Sequence, residues 1–460
     1  MRNYLFSILV TSFFVACGNS GTPEPGGPYA SLVPVLSGVL PLEVTLPPEE
    51  LQDDPVASRP FFDTFSWQSF IALSWPADPV NRGAPLQPKS VKKFRQTNKI
   101  GGRSSAIVWE SYRAGFELFR TDGSTPLEWS STEPIMTPAG LIPGGRVLAM
   151  VTKGGFPGEV NEAFSGPLTD QNRNYARYEV RVNQIQYNQV RRNGWYDKAT
   201  VEAAIEQTVS EQIAAGISPP QGIQFDANAL EIKAAWRQMT DDDDLSRFYT
   251  VEAFISGPEG RYFPARMGLV GIHIMQKTEI FPQWIWSTFE HVDNVSGAHP
   301  SFNNGTANPP SQMDGDQPLG FDFQPLPLEV PYPAIADRQP VQVTRALPIP
   351  STPVVDGGYS TQDLNLKYRA LLAGTVWENY ELVVTQWPLD PSLRTPYDPD
   401  FSPPSFQPSF AGDPFPEVAA NTTMETYFQT NDSCLECHYH AAAFGVDYSW
   451  ILYDRVMKAD

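Results

Sequence analysis

Residues 434–438 read Cys-Leu-Glu-Cys-His, and this short stretch constrains the chain more than any other. Two thiols three residues apart lie on nearly one face of a helical turn. His438 falls four residues after Cys434, one turn further on, so its imidazole lies on the same side. This is the C-x-x-C-H spacing through which haem is joined covalently to a protein. The thiols form thioethers with the haem vinyl groups, and a neutral imidazole ligates the iron. The chain has only 3 cysteines and 5 histidines in 460 residues, so the order does not arise from a cysteine-rich background. The pattern predicts one covalent haem c, with Cys434 and Cys437 as attachment sites and His438 as the proximal iron ligand.

Three other readings compete. A redox dithiol of the thioredoxin type normally opens a strand–helix unit, whereas this motif lies close to the end of the sequence. A zinc site could recruit Cys434, Cys437 and His440, but ligands packed this tightly do not all reach one tetrahedral metal, and no second Cys-x-x-Cys is present. A structural disulfide between Cys434 and Cys437 closes a short, strained loop.

The N-terminus bears on where such a haem resides. Arg2 precedes an apolar run from Tyr4 to Ala16, 13 residues, which is short for a bilayer span and suited to a signal-peptide core. The run ends Phe14-Val15-Ala16-Cys17, which resembles a bacterial lipobox with Phe14 where Leu is usual. Residues 1–16 are therefore read as a signal peptide, and Cys17 as the lipidated residue of an exported cell-envelope lipoprotein. Gly18, in place of an Asp, leans toward an outer-membrane anchor facing the periplasm or cell surface. An ordinary secreted protein cut elsewhere is the alternative. Both readings export the chain, in agreement with the attachment of haem c outside the cytoplasm and with the scarcity of thiols.

A formal net charge of −20 argues against nucleic acid as a partner and suits steering toward a basic redox protein. The 45 prolines, about twice the usual frequency, predict long ordered loops and many strand ends. Residues 17–59 read as the lipidated cysteine and a flexible tether, 60–300 as a β-rich α+β domain, 301–355 as a Pro/Gly-rich connection, and 356–460 as a helical, loop-rich haem segment. Phe65 to Trp75 reads as the first buried helix and Lys198 to Ala215 as another, with Val201, Ile205, Val209 and Ile213 at helical spacing. Alternation over Tyr178–Tyr187, and the runs Leu230–Trp236 and Met267–Met275, read as strands. From Asp363 to Val376 the pattern is helical again. Asp241–Asp244 reads as an exposed loop, with calcium binding as the competing idea, and Trp236, Trp284 and Trp286 as core rather than a platform for electrons or substrate.

The sixth position on the iron decides what such a haem does. His440 is too close in sequence to reach the far side of the same haem, and His299 reads as an exposed loop residue. The distal candidates are His273, which shares a strand face with Met275, His291 in an aromatic stretch, and Met424, ten residues before Cys434. An open distal face is the remaining possibility.

The stretches Asn421–Tyr427, Ser433–His438, Gly271–Ile274 and Trp284–His291 resemble a family of large, poorly characterised bacterial cytochrome c proteins. The resemblance covers about half the chain and implies covalent haem at Cys434 and Cys437 with His438 as ligand; it implies no particular reaction. The reading is a monohaem c-type cytochrome that passes single electrons in the cell envelope, with a redox protein or a small oxidant or reductant as partner. The size of the chain motivates an alternative, a peroxidase- or oxidase-like haem enzyme with an open distal face, in which His273, His291 and Glu290 move protons. A surface lipoprotein with a sensory or structural haem is a third. A two-haem peroxidase is excluded by the single C-x-x-C-H.

Overall fold

A computed structural model describes residues 27–453, apart from 101–104, 121, 135, 138–139, 142–145, 149–167, 257–261, 306–334, 339, 354–357, 402–411, 428 and 431–432. Residues 1–16, read as a signal peptide, and Cys17 lie outside the described residues. The architecture is α+β, built on a mostly antiparallel sheet.

Among the described residues, 9 strands join that sheet. In chain order they are β1 (Arg113–Ala114), β2 (Arg146–Leu148), β3 (Arg177–Val182), β4 (Leu230–Gln238), β5 (Thr250–Ser256), β6 (Tyr262–Gln276), β7 (Ile285–His291), β8 (Tyr380–Pro388) and β9 (Pro414–Phe415). The main path runs β1-β3-β4-β6-β7-β8-β9, and β5 pairs with β6 and carries β2 on its far side. Only the β2–β5 pairing is parallel. The long β6 is the hub because its two halves hold different neighbours. Residues from Met267 onward pair with β4, those from Gly271 onward also with β7, and Tyr262 to Gly268 pair with β5.

Register decides which side chains share a face, because directly opposed residues point the same way. Lys233 lies opposite His273, and His273 opposite Thr288. Glu231, Met275 and Trp286 form the next row, and Glu290 opposes Gly271. The other face is mostly apolar and is covered by helix α1 (Pro55–Leu73). Asp54 caps that helix, accepting from the N–H groups of Val56 and Ala57 at 2.9 and 3.1 Å, with Pro55 at the position where a missing N–H costs nothing. Ser66 bonds both Ser287 and Thr385 at 2.7 Å, and Phe70 stacks on Phe289 with centroids 4.4 Å apart. On its outer side α1 meets a later helix (Thr361–Leu371) through Trp67, whose indole N–H donates to Asn365 Oδ1 at 3.0 Å. A helix covered on both sides shows no clean amphipathic stripe, which is why only its aromatic half stood out in the sequence.

The helix α2 (Gln184–Asn193) corrects the strand read over Tyr178–Tyr187. The strand stops at Val182, and Asn183 caps the helix by accepting from Gln186 N–H at 3.1 Å. The apparent alternation beyond it is accidental, since Ile185 is 38% exposed. The helix α3 (Lys198–Ala214) docks only through its first turns: Val201 and Ile205 are buried, whereas Ile213 is 61% exposed.

Two parts of the expected organisation differ. Residues 27–59, read as tether, pack onto the body: Tyr29 and Leu32 are buried with Phe61, and Val44 lies with Phe62, Phe65 and Trp387. The helical pattern from Asp363 ends at Leu371, and the chain then supplies β8, antiparallel to β7. The last hundred residues thus complete the sheet begun before residue 300. One apolar cluster runs from Trp67 through Trp286 to Leu435 and Leu452.

Candidate functional site

The sheet face opposite α1 carries polar residues unusual for a buried surface, and the segment 421–453 covers it. Asn421 Nδ2 donates to Thr288 Oγ1 at 3.0 Å, and Thr422 N–H to Glu290 at 3.0 Å. The Tyr178 hydroxyl donates to the Thr423 carbonyl at 2.8 Å. This close approach requires Gly271: a Cβ there would lie 2.2 Å from Thr423 Oγ1. Further along, the Ser449 hydroxyl donates to Glu231 at 2.7 Å, and Lys277 pairs with Asp447 at 2.7 Å.

The motif forms helix α4 (Cys434–Ala443), which lies over this face. Ser433 caps it, its hydroxyl accepting from Glu436 N–H at 3.1 Å, and the Leu435 N–H donates to Gln386 Oε1 of β8 at 2.7 Å. Two of the four N–H groups that a helix start leaves over are thereby satisfied, and α4 is fixed to the sheet at the turn that bears the cysteines. Cys434 and Cys437 are thiols, both partly buried. The short disulfide is therefore not formed here.

His438 is held from two sides. Its Nδ1 lies 2.6 Å from the Tyr448 carbonyl oxygen, and its ring lies 4.4 Å from that of Trp286 on β7. A carbonyl oxygen only accepts, so Nδ1 carries the proton and Nε2 presents its lone pair. Tyr448 is itself fixed: its hydroxyl bonds Thr395, and the preceding Asp447 accepts from Lys277 and from the Phe225 N–H at 3.0 Å. Burial pushes the His438 pKa down to about 3, with Lys233, His273 and His440 opposing its protonation and the Tyr448 hydrogen bond acting the other way. The ring is a neutral imidazole at any ordinary pH.

The other predicted residues are distributed unevenly. His273 lies on the same sheet face as His438, 12% exposed, with Nε2 3.5 Å from the Glu425 carboxylate and without a hydrogen bond. His291 is on the opposite face, fully buried. Both its nitrogens are engaged, Nε2 with the Arg247 carbonyl at 3.0 Å and Nδ1 with the Asp293 N–H at 3.1 Å, and burial lowers its pKa to about 4. Met424 is fully buried in a separate apolar cluster with Leu168, Phe302 and Val343. The structure brings neither of these two to His438. His440 turns away to Phe401, with centroids 5.1 Å apart, and burial lowers its pKa to about 4. Among the described residues no group of three or more His, Cys, Asp or Glu is arranged to hold a metal ion. His299 is exposed, as expected.

Asp243 pairs with Arg237 and accepts from Thr240 N–H at 2.7 Å, and Asp244 accepts from Ser246 N–H at 3.0 Å, so these two carboxylates of the acidic run are used within a turn. Trp236 and Trp284 are core, and so is Trp286, which in addition forms the wall beside His438. That second role has a signal in the sequence, since Trp286, Thr288 and Glu290 alternate along one strand face. The role of the Tyr448 carbonyl has none, because any residue supplies a carbonyl. No protein-family model, no curated protein and no solved structure matches the chain.

Proposed function

We propose that the chain is a monohaem c-type cytochrome, exported and anchored by lipid at Cys17, that passes single electrons in the cell envelope. The observation that carries this reading is the state of His438: one turn past two thiols, with Nδ1–H given to a backbone carbonyl and Nε2 left as the ligating nitrogen. Histidines that ligate iron or zinc are commonly oriented this way, by a second partner on the other ring nitrogen. The residues present fit the group: two thiols for the thioethers, one neutral imidazole for the iron, and a tryptophan wall that limits water.

When bound, haem supplies the Fe(III)/Fe(II) couple, and the protein tunes it through axial ligation and burial. The chain's own contribution is positioning. Ser433 and Gln386 fix the turn that carries the thiols, Tyr448 fixes the imidazole, and Trp286 holds the ring against the sheet. Export and lipidation rest on the sequence of residues 1–17, and the acidic balance of −20 suits a basic redox partner.

The test is a spectroscopic redox titration of the chain matured with haem c assembly factors. A single reversible one-electron wave supports the proposal. Turnover of peroxide or oxygen at rates typical of enzymes, about 1–1000 per second, would replace it with the haem-enzyme reading.

A further inference from the structure

We infer that His273 is the sixth ligand of the haem, so that the iron is held between two histidines, His438 from α4 and His273 from β6. This rests on the haem reading above.

Of the candidate distal groups, only His273 is both on the right face and unsatisfied. Its Nε2 is buried and has no hydrogen-bond partner. The nearest group, the Glu425 carboxylate at 3.5 Å, makes no hydrogen bond to it; its Oε2 accepts from the Asn421 N–H at 2.8 Å. A buried imidazole nitrogen left without a partner carries a desolvation cost that no contact offsets. Such groups are uncommon in native proteins and call for an explanation. An iron that takes the Nε2 lone pair supplies one. The position is suitable as well: the His438 ring lies 4.4 Å from Trp286, and His273 opposes Thr288, two residues from Trp286 on the same face of β7.

The competitors are all committed elsewhere. His291 spends both nitrogens on the far face, and Met424 belongs to another cluster. Met275 shares the face of His273 but packs into the main apolar cluster with Trp286, where a thioether leaves no unmet hydrogen bond. His273 sits two residues from it on the same strand, opposite Lys233 and Thr288.

The test uses the full chain matured with covalent haem, reduced and mixed with carbon monoxide. The wild-type spectrum is expected to be six-coordinate low-spin and unchanged on mixing. His273→Ala is expected to shift promptly with carbon monoxide, and added imidazole to restore the low-spin spectrum. His273→Met, which keeps the volume and offers a thioether, is expected to stay six-coordinate with its potential shifted upward; it serves if the alanine variant fails to fold. A wild-type protein that shifts promptly with carbon monoxide would overturn the inference. So would a His273→Ala protein that stays low-spin and inert. A haem stain on a denaturing gel, run on the same samples, separates these failures from failure of the haem reading, in which no stain appears at all.

Discussion

The imidazole of His438 and the main-chain carbonyl of Tyr448 are 2.6 Å apart, and this contact fixes which nitrogen of the ring carries the proton. Tyr448 is ten residues further along, beyond the end of α4, so the helix and its following turn orient the ring together. On the proposed haem reading, the imidazole would already be in its ligating tautomer when the thioethers form.

The haem-free protein tests that state directly. Burial holds the His438 pKa at about 3, so its ring carbons should show no titration in an NMR pH series from 8 down to about 4. A midpoint near 6.5 would mean that the ring is solvated and that the Tyr448 contact is not maintained.

Close approach of the C-terminal segment to β6 predicts intolerance of a single methyl group. Gly271→Ala places Cβ against Thr423 Oγ1 and within 3.3 Å of Asn421 Oδ1. The expected loss is about 1–3 kcal/mol in urea unfolding. Thr423→Ala in the same chain should recover part of it, giving a coupling of about 1 kcal/mol in the double-mutant cycle. Simple additivity of the two changes would show that the segment does not press on the sheet.

Stability should fall as pH rises from about 4 to about 6, and Asp63 is one cause. The carboxyl is buried on α1 between Thr361 and Thr385, at 2.7 and 2.8 Å, and burial raises its pKa from 3.8 to about 6. The folded chain therefore holds a proton that the unfolded chain has released across that window, and the advantage is greatest below it and gone above it. Two units correspond to about 3 kcal/mol as an upper bound. Asp63→Asn should flatten this part of the profile, measured as urea midpoints against pH. Parallel profiles for the two proteins would assign the slope to other groups.

The sequence made the motif legible and left its surroundings largely hidden. Cys434, Cys437 and His438 are separated by fixed spacings within one helix, so a local rule finds them. The strands Leu230–Gln238 and Tyr262–Gln276 were legible for a similar reason: β-rich apolar runs of adequate length. The strand Tyr380–Pro388 was not, because the helical pattern reads on past the Gly374 turn to Val376, and the strand gains its place by pairing with β7. Residues 27–59 look like a tether by composition, yet isolated anchors such as Tyr29 and Val44 fasten them, and a composition average conceals single anchors. For the distal ligand, His273, His291 and Met424 looked equivalent in sequence. Their separation depends on strand register and on which nitrogens are already bonded, which are long-range facts.

The most direct test of the account is whether one haem is covalently bound at 434–438. The chain is matured with haem c assembly factors, denatured, and examined by haem stain and intact mass, beside a Cys434→Ala, Cys437→Ala double variant. The account predicts a stained wild-type band heavier than the bare chain by the mass of one haem, and a double variant with neither stain nor added mass. A wild-type chain at its bare mass, or haem retained by the double variant after denaturation, would contradict it.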